Sequence, residues 1–398
     1  MNPSILLAAP HRLPFLTGSL AFGGLLIWWL MQQAQLHAGL TGIPTTILPS
    51  TLLHGPAMIY LGLSPFIFGF LFTVFPRWIG LPDLAARQFA PASLLLLIGA
   101  MLVLIALGVG LDTLLLPGFG LLALGWSLAI LVLLGVLFRG SRAGKPPCRH
   151  AWSVLAGLAL GLLGLLSVLI FVGVGAAEYL LHANRIGIGG FLIPIFLTVA
   201  HRMVPFFAGN VVQGYVPWRP DWLLFVLWFL LLARLAGELL QIACLAMVAN
   251  GALAAVTGLM LWQWWPKARA PGLLTVLVWG FAWGPAGFAL AALDGVALSL
   301  GRGPDHTLMI GFAGSLLVAM VTRVTQGHSG RPLTMPGLAW LAFGAVQLAA
   351  VIRLGAAAKQ ESGAALLLSI GVLALGMLPW LLRNAGIYLA PRSDGKAG

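Results

Sequence analysis

Three histidines stand where imidazole chemistry meets the end of a membrane helix. His306 opens the stretch Asp305 to Pro332, in which an apolar run leads to Arg323 and then to a Gly-rich turn carrying His328. At ~1.5 Å per residue, the seventeen steps from His306 to Arg323 cover roughly 25 Å, against ~30 Å for the hydrocarbon core of a bilayer. His306 and Arg323 therefore belong to opposite membrane faces. The pattern recurs from His54 to Arg77 and from His182 to Arg202. An imidazole in such a place is commonly an interfacial anchor or a hydrogen-bonding partner of a neighbouring helix end. Three at equivalent depth point instead to ligation, because neutral imidazole is the usual ligand of heme iron and copper, and two helices can hold one macrocycle between them.

The surroundings of these histidines differ. In EYLLHANR, Glu178 lies four residues before His182 and Arg185 three after it, so all three share one helical face. Glu178 could orient the ring and Arg185 could meet an anionic group, although an acidic residue also simply favours a helix start. Asp305, directly after Pro304, reads chiefly as such a start. At the opposite level His11 in APHRLPF, His201 in AHRMVPFF and His328 in GHSGR each have an arginine beside them or within three residues. Those loops suit a lipid headgroup, an anion or a second cofactor.

The elements that must position these residues are membrane helices. The chain has 398 residues, 60% hydrophobic and 8% charged, far below the roughly 25% charged of a soluble domain. Apolar runs of spanning length are predicted at about 15–31, 51–75, 92–111, 114–138, 151–175 and 181–205, then at 221–240, 242–262, 272–293, 304–324, 336–351 and 364–382. The fold class is thus all-α, a polytopic membrane protein of twelve helices forming a single transmembrane domain over residues 1–398. The histidines of helices two, six and ten start 128 and 124 residues apart, and Thr-Val precedes the arginine in the first two blocks. This spacing predicts a threefold repeat of four-helix units.

Charge sets the orientation. Lys and Arg in short loops stay on the cytoplasmic side, and with both termini inside, sixteen of the 21 basic residues fall there. His54, His182 and His306 are then outer, while Arg77, Arg202 and Arg323 face the cytoplasm. The formal charge of +12 reflects this asymmetry. Basic residues punctuate apolar segments instead of forming one patch, so nucleic-acid binding is excluded. There is no P-loop, dinucleotide turn or nucleophile elbow. Two well-separated cysteines offer no disulfide framework. The nine carboxylates are too few and too shallow for a buried proton relay.

APHR at 9–12, GFLFTVFPRW ending the helix-two block, LTVAHRMVPFF at 197–207 and MVTRVTQGHSGRPL at 320–333 resemble the NnrS family, bacterial membrane proteins of the nitric oxide response that contain heme and copper. The resemblance covers the whole chain. It implies heme b and copper as cofactors, nitric oxide as ligand, and a role in nitrosative stress and denitrification. The layout is also distantly similar to that of heme-copper oxidases and nitric oxide reductases, whose helices two and ten hold a low-spin heme. A departure is plain: helix seven, DWLLFVLWFLLLARLAGELL, lacks the paired histidines of that layout. Copper near His182 must then recruit methionine, water or another histidine such as His37.

The expectation is an inner-membrane heme protein that binds or reduces nitric oxide, with His54 and His306 as axial ligands, His182 toward copper and Arg185 toward a heme propionate. The enzymatic form of this reading is a nitric oxide reductase-like oxidoreductase. The alternative is a transporter collecting an anion or a metal species at Arg77, Arg202 and Arg323. No electron-donor site is legible.

Overall fold

The computed structural model describes residues 3–360 and 362–395. The chain is 80% helical, and no strand occurs among the described residues. Twelve helical spans are long and apolar enough to cross a membrane. They are α1 (Arg12–Ala38), α2 (Ser50–Ile79), α3 (Ala86–Val109), α4 (Asp112–Arg142), α5 (Arg149–Val174), α6 (Ala177–Val211), α7 (Trp222–Leu239), α8 (Ala243–Trp264), α9 (Gly272–Leu293), α10 (Gly303–His328), α11 (Gly337–Ala358) and α12 (Gly363–Leu389).

All twelve predicted runs are found, and most extend beyond their apolar core into polar ends such as Arg142 and His328. Helices three and four do not meet at Asp112 and Thr113 as the sequence suggests. α3 stops at Val109, capped by Gly110 at φ 71°, a left-handed turn that favours glycine. Asp112 then accepts hydrogen bonds from the Ile47 backbone N–H at 3.1 and 3.0 Å, which ties the α1–α2 loop to this turn.

The spans are not equally buried. In α2, α6 and α10 the apolar window is 89%, 83% and 78% buried, against 28–50% for all the others except α1. The three helices that run from histidine to arginine thus expose less of their apolar windows than the other spans. Each of the three also contains a π-helical segment: Met58–Leu63 in α2, Ile186–Leu192 in α6 and Thr307–Gly314 in α10. Each begins within four residues of the histidine. Pro65 and Pro194 stand two residues past the ends of the first two. A proline has no N–H to donate and crowds the preceding turn, so a widened turn upstream relieves it.

Two compact units are formed: residues 1–187, 324–332 and 378–398, and residues 188–323 and 333–377. Within the first, α3 and α4 touch at small residues. A Cβ on Gly99 would fall 2.7 Å from the Gly118 carbonyl oxygen and 2.8 Å from Leu122 N. Without a hydrophobic drive between helices in lipid, such close backbone approach carries much of the packing. Gly99→Val should therefore lower stability by about 1–3 kcal/mol, read as a lower melting point in detergent; an unchanged melting point would mean these helices do not meet here. Trp126 Nε1 donates to the Leu158 carbonyl oxygen at 2.9 Å, joining α4 to α5.

In the second unit, Trp283 Nε1 donates to Gln347 Oε1 at 2.6 Å and Gln347 Nε2 to Ser315 Oγ at 2.7 Å, so three helices share one half-buried polar chain. Its members come from α9, α11 and α10.

Candidate metal and ligand sites

In the first unit, the ends of α2 and α6 that carry His54 and His182 lie together. A Cβ on Gly55 would fall 2.5 Å from Asn184 Oδ1, and the Tyr60 hydroxyl donates to the Ala183 carbonyl oxygen at 2.8 Å. The His54 ring is stacked on Trp29, with centroids 3.9 Å apart and planes 16° off parallel. Stacking fixes the plane of the imidazole, as ligation would require. His182 is half-buried and meets Tyr179 edge-on at 6.3 Å. Glu178 is exposed, Arg185 half-buried and His37 exposed at the end of α1. Among the described residues no three His, Cys, Asp or Glu side chains gather as a metal-holding group.

The other end of the first unit holds a pair the sequence does not reveal. The rings of His11 and His328 lie 4.8 Å apart with planes at 52°. His11 is 2% exposed, and its Nδ1 is enclosed with no hydrogen-bond partner. Leaving a buried polar group unpartnered costs about 1–3 kcal/mol. Burial first, then the charges of His328, Arg12 and Arg77, push the His11 imidazole well below its usual range. The ring is therefore neutral, with a lone pair to offer.

Around this pair, Tyr388 approaches His11 edge-on at 6.4 Å, and its hydroxyl shares a 2.7 Å hydrogen bond with Thr325 Oγ1. Arg12 Nη1 donates to the carbonyl oxygens of Tyr388 at 3.3 Å and Ala390 at 2.8 Å. Arg77 is taken in a two-pronged pair by Asp83, Nε to Oδ1 at 2.9 Å and Nη2 to Oδ2 at 2.8 Å, which holds that carboxyl below its usual range.

In the second unit, His306 Nδ1 lies 2.8 Å from the Arg302 carbonyl oxygen. A carbonyl only accepts, so Nδ1 carries the proton and the metal-binding lone pair resides on Nε2. The residue before it has a larger part than a helix start. Asp305 lies 3.6 Å from Arg234 and 3.7 Å from Arg302, and Arg234 also pairs with Glu238 at 2.8 Å. Arg234 is 2% exposed, and its Nε and Nη1 are enclosed without hydrogen-bond partners.

His201 is fully buried, 6.4 Å from the Trp264 ring, and Arg202 is half-buried beside it. Arg323 lies 3.6 Å over the face of Phe207, a cation–π contact, and both line a cavity of about 120 Å³ with Leu274, Leu277 and Met320. Of the three arginines expected to collect an anion, Arg77 is thus matched by a carboxylate and Arg323 by an aromatic face.

An all-helical chain with twelve membrane-length spans is a multi-pass membrane protein. Its residues 5–392 match the family model described as NnrS protein, and the chain belongs to the NnrS family. It is accordingly a membrane protein of the nitric oxide response. A comparison with curated proteins finds no match.

Proposed function

We propose that this protein sits in the bacterial inner membrane with both termini in the cytoplasm, carries copper and heme b, and meets nitric oxide at these metals. The observation that carries this reading is the pairing of the buried His11 ring with the half-buried His328 ring. Two imidazoles bound side by side to one ion through ~2.0 Å metal–nitrogen bonds have ring centroids about 5 Å apart, whereas axial ligands across a heme iron stand about 6 Å apart. The observed 4.8 Å suits one shared ion and not the two axial positions of one heme. Copper is the ion that imidazole pairs take readily.

Heme has a separate candidate in His306. Its Nδ1 proton is fixed on a backbone carbonyl, the support that ligating histidines usually have, which makes Nε2 the ring nitrogen able to act as a ligand atom. His54, its ring plane set by Trp29, is a candidate ligand within the first unit. When bound, these metals supply a coordination position at which nitric oxide attaches. The protein's own contribution is to keep His11 neutral, hold His306 in one tautomer and shield the pair from water.

His306→Ala should remove or shift the heme absorption while the protein still inserts. An unchanged spectrum in both His306→Ala and His54→Ala would reject these ligands. The topology has its own test. In an Ile47→Cys variant, a position 89% exposed in the α1–α2 loop, a membrane-impermeant thiol reagent applied to spheroplasts should label position 47 and leave Cys148 unlabelled. Labelling of Cys148 alone would invert the orientation.

A further inference from the structure

Beyond the histidine pair, the first unit contains two arginines, Arg331 and Arg383, for which no carboxylate partner is found among the described residues. Arg383, in α12, donates from Nη1 to Asn384 Oδ1 at 3.2 Å and from Nη2 to Gln326 Oε1 at 3.4 Å. Arg331 joins the group through the chain: its backbone N–H donates to the Gln326 carbonyl oxygen at 3.1 Å. Asp394 lies against Gly330 but is held two-pronged by Arg392, at 2.9 and 2.6 Å. Arg331, through its backbone, and Arg383, through its guanidinium, thus both meet Gln326, a neutral amide.

Two donors in this group lack an acceptor. Arg331 Nη1 is enclosed and unpartnered. Asn384 is 0% exposed, and because Arg383 can only donate, the atom facing it must be the amide oxygen, which leaves Nδ2 as a buried donor with no partner. Adjacent guanidinium charge and orphaned N–H donors are each costly alone, and both costs are met by a single oxyanion.

We infer that Arg331, Arg383 and Asn384 form a binding site for a phosphate group. The guanidinium fork matches the tetrahedral oxyanion, the charge pair matches its charge, and Asn384 Nδ2 supplies a directed donor. The site lies where α10 and α12 end among arginines, the level at which lipid headgroups meet a membrane protein. A headgroup phosphate and a free phosphate share this chemistry.

The test uses the full-length protein purified in an uncharged detergent. Inorganic phosphate, phosphatidylglycerol and, as a control, phosphatidylcholine are titrated separately by calorimetry, and retained lipid is counted by native mass spectrometry. An anionic phosphate should bind, and Arg331→Gln and Asn384→Ala should each weaken it on the order of tenfold, the cost of losing one hydrogen bond to a charged group. Arg331→Lys, which keeps the charge and loses the fork, should fall between wild type and Arg331→Gln and serves if the other variants do not stay monodisperse. Binding of inorganic phosphate assigns a free anion. Binding of phosphatidylglycerol that inorganic phosphate does not displace assigns a lipid headgroup. No binding of either by the wild type, or equal affinities across the variants, would overturn the site.

Discussion

Alanine at His11 or at His328 should strip copper from the purified protein, with a loss of affinity exceeding the roughly 10–100-fold that follows when only a supporting partner of a ligand is removed. The reason lies in the count of ligands. With two imidazoles 4.8 Å apart and no third His, Cys, Asp or Glu gathered with them among the described residues, a single remaining histidine cannot hold the ion. His37→Ala provides the contrast, since that side chain is exposed at the other end of α1. Metal content per monodisperse protein, by elemental analysis, reads the result. Wild-type copper in both His11→Ala and His328→Ala would place the ion elsewhere.

The largest expected effect on stability is at Arg234. Its guanidinium is 3% exposed and stands between Glu238 and Asp305, whose side chains are 22% and 30% exposed. Removing one partner of a buried ion pair costs about 3–5 kcal/mol because the other charge is left uncompensated. Both carboxylates keep some water, so Arg234→Ala should cost about 3 kcal/mol, at the lower end of that range. Arg234→Met with Glu238→Gln, which removes the nearer of the two stranded charges and keeps the volume, should recover part of the loss. The effect should also reach the neighbouring histidine: Asp305 precedes His306, so Arg234→Ala should perturb any heme spectrum that depends on His306. A melting point equal to wild type would show that the cluster carries no net stabilisation.

The sequence made the membrane helices legible because a run of about twenty apolar residues leaves little else for a chain to do. It also singled out α2, α6 and α10, the three spans that prove the most buried. The π segments inside them were hidden. A change from 3.6 residues per turn leaves no trace in a helix that is apolar all round, although Pro65 and Pro194 mark where two of them end. The Arg234–Glu238 pair could have been read from its four-residue spacing; its third member, Asp305, could not, because it arrives from another helix. His11 and His328 come from opposite ends of the chain, and each alone looks like an interfacial residue. Asn384 and Arg331 carry no motif at all, and only their unpartnered donors distinguish them.

The measurement that bears most directly on the proposed role is the optical and paramagnetic-resonance spectrum of the purified full-length protein, taken with its iron and copper content before and after exposure to nitric oxide. A heme band with matching iron, a copper signal lost on His11→Ala, and a spectrum that shifts with nitric oxide are the predicted results. Protein that is folded and monodisperse yet shows no heme band, contains neither iron nor copper and has the same spectrum with and without nitric oxide would contradict the account.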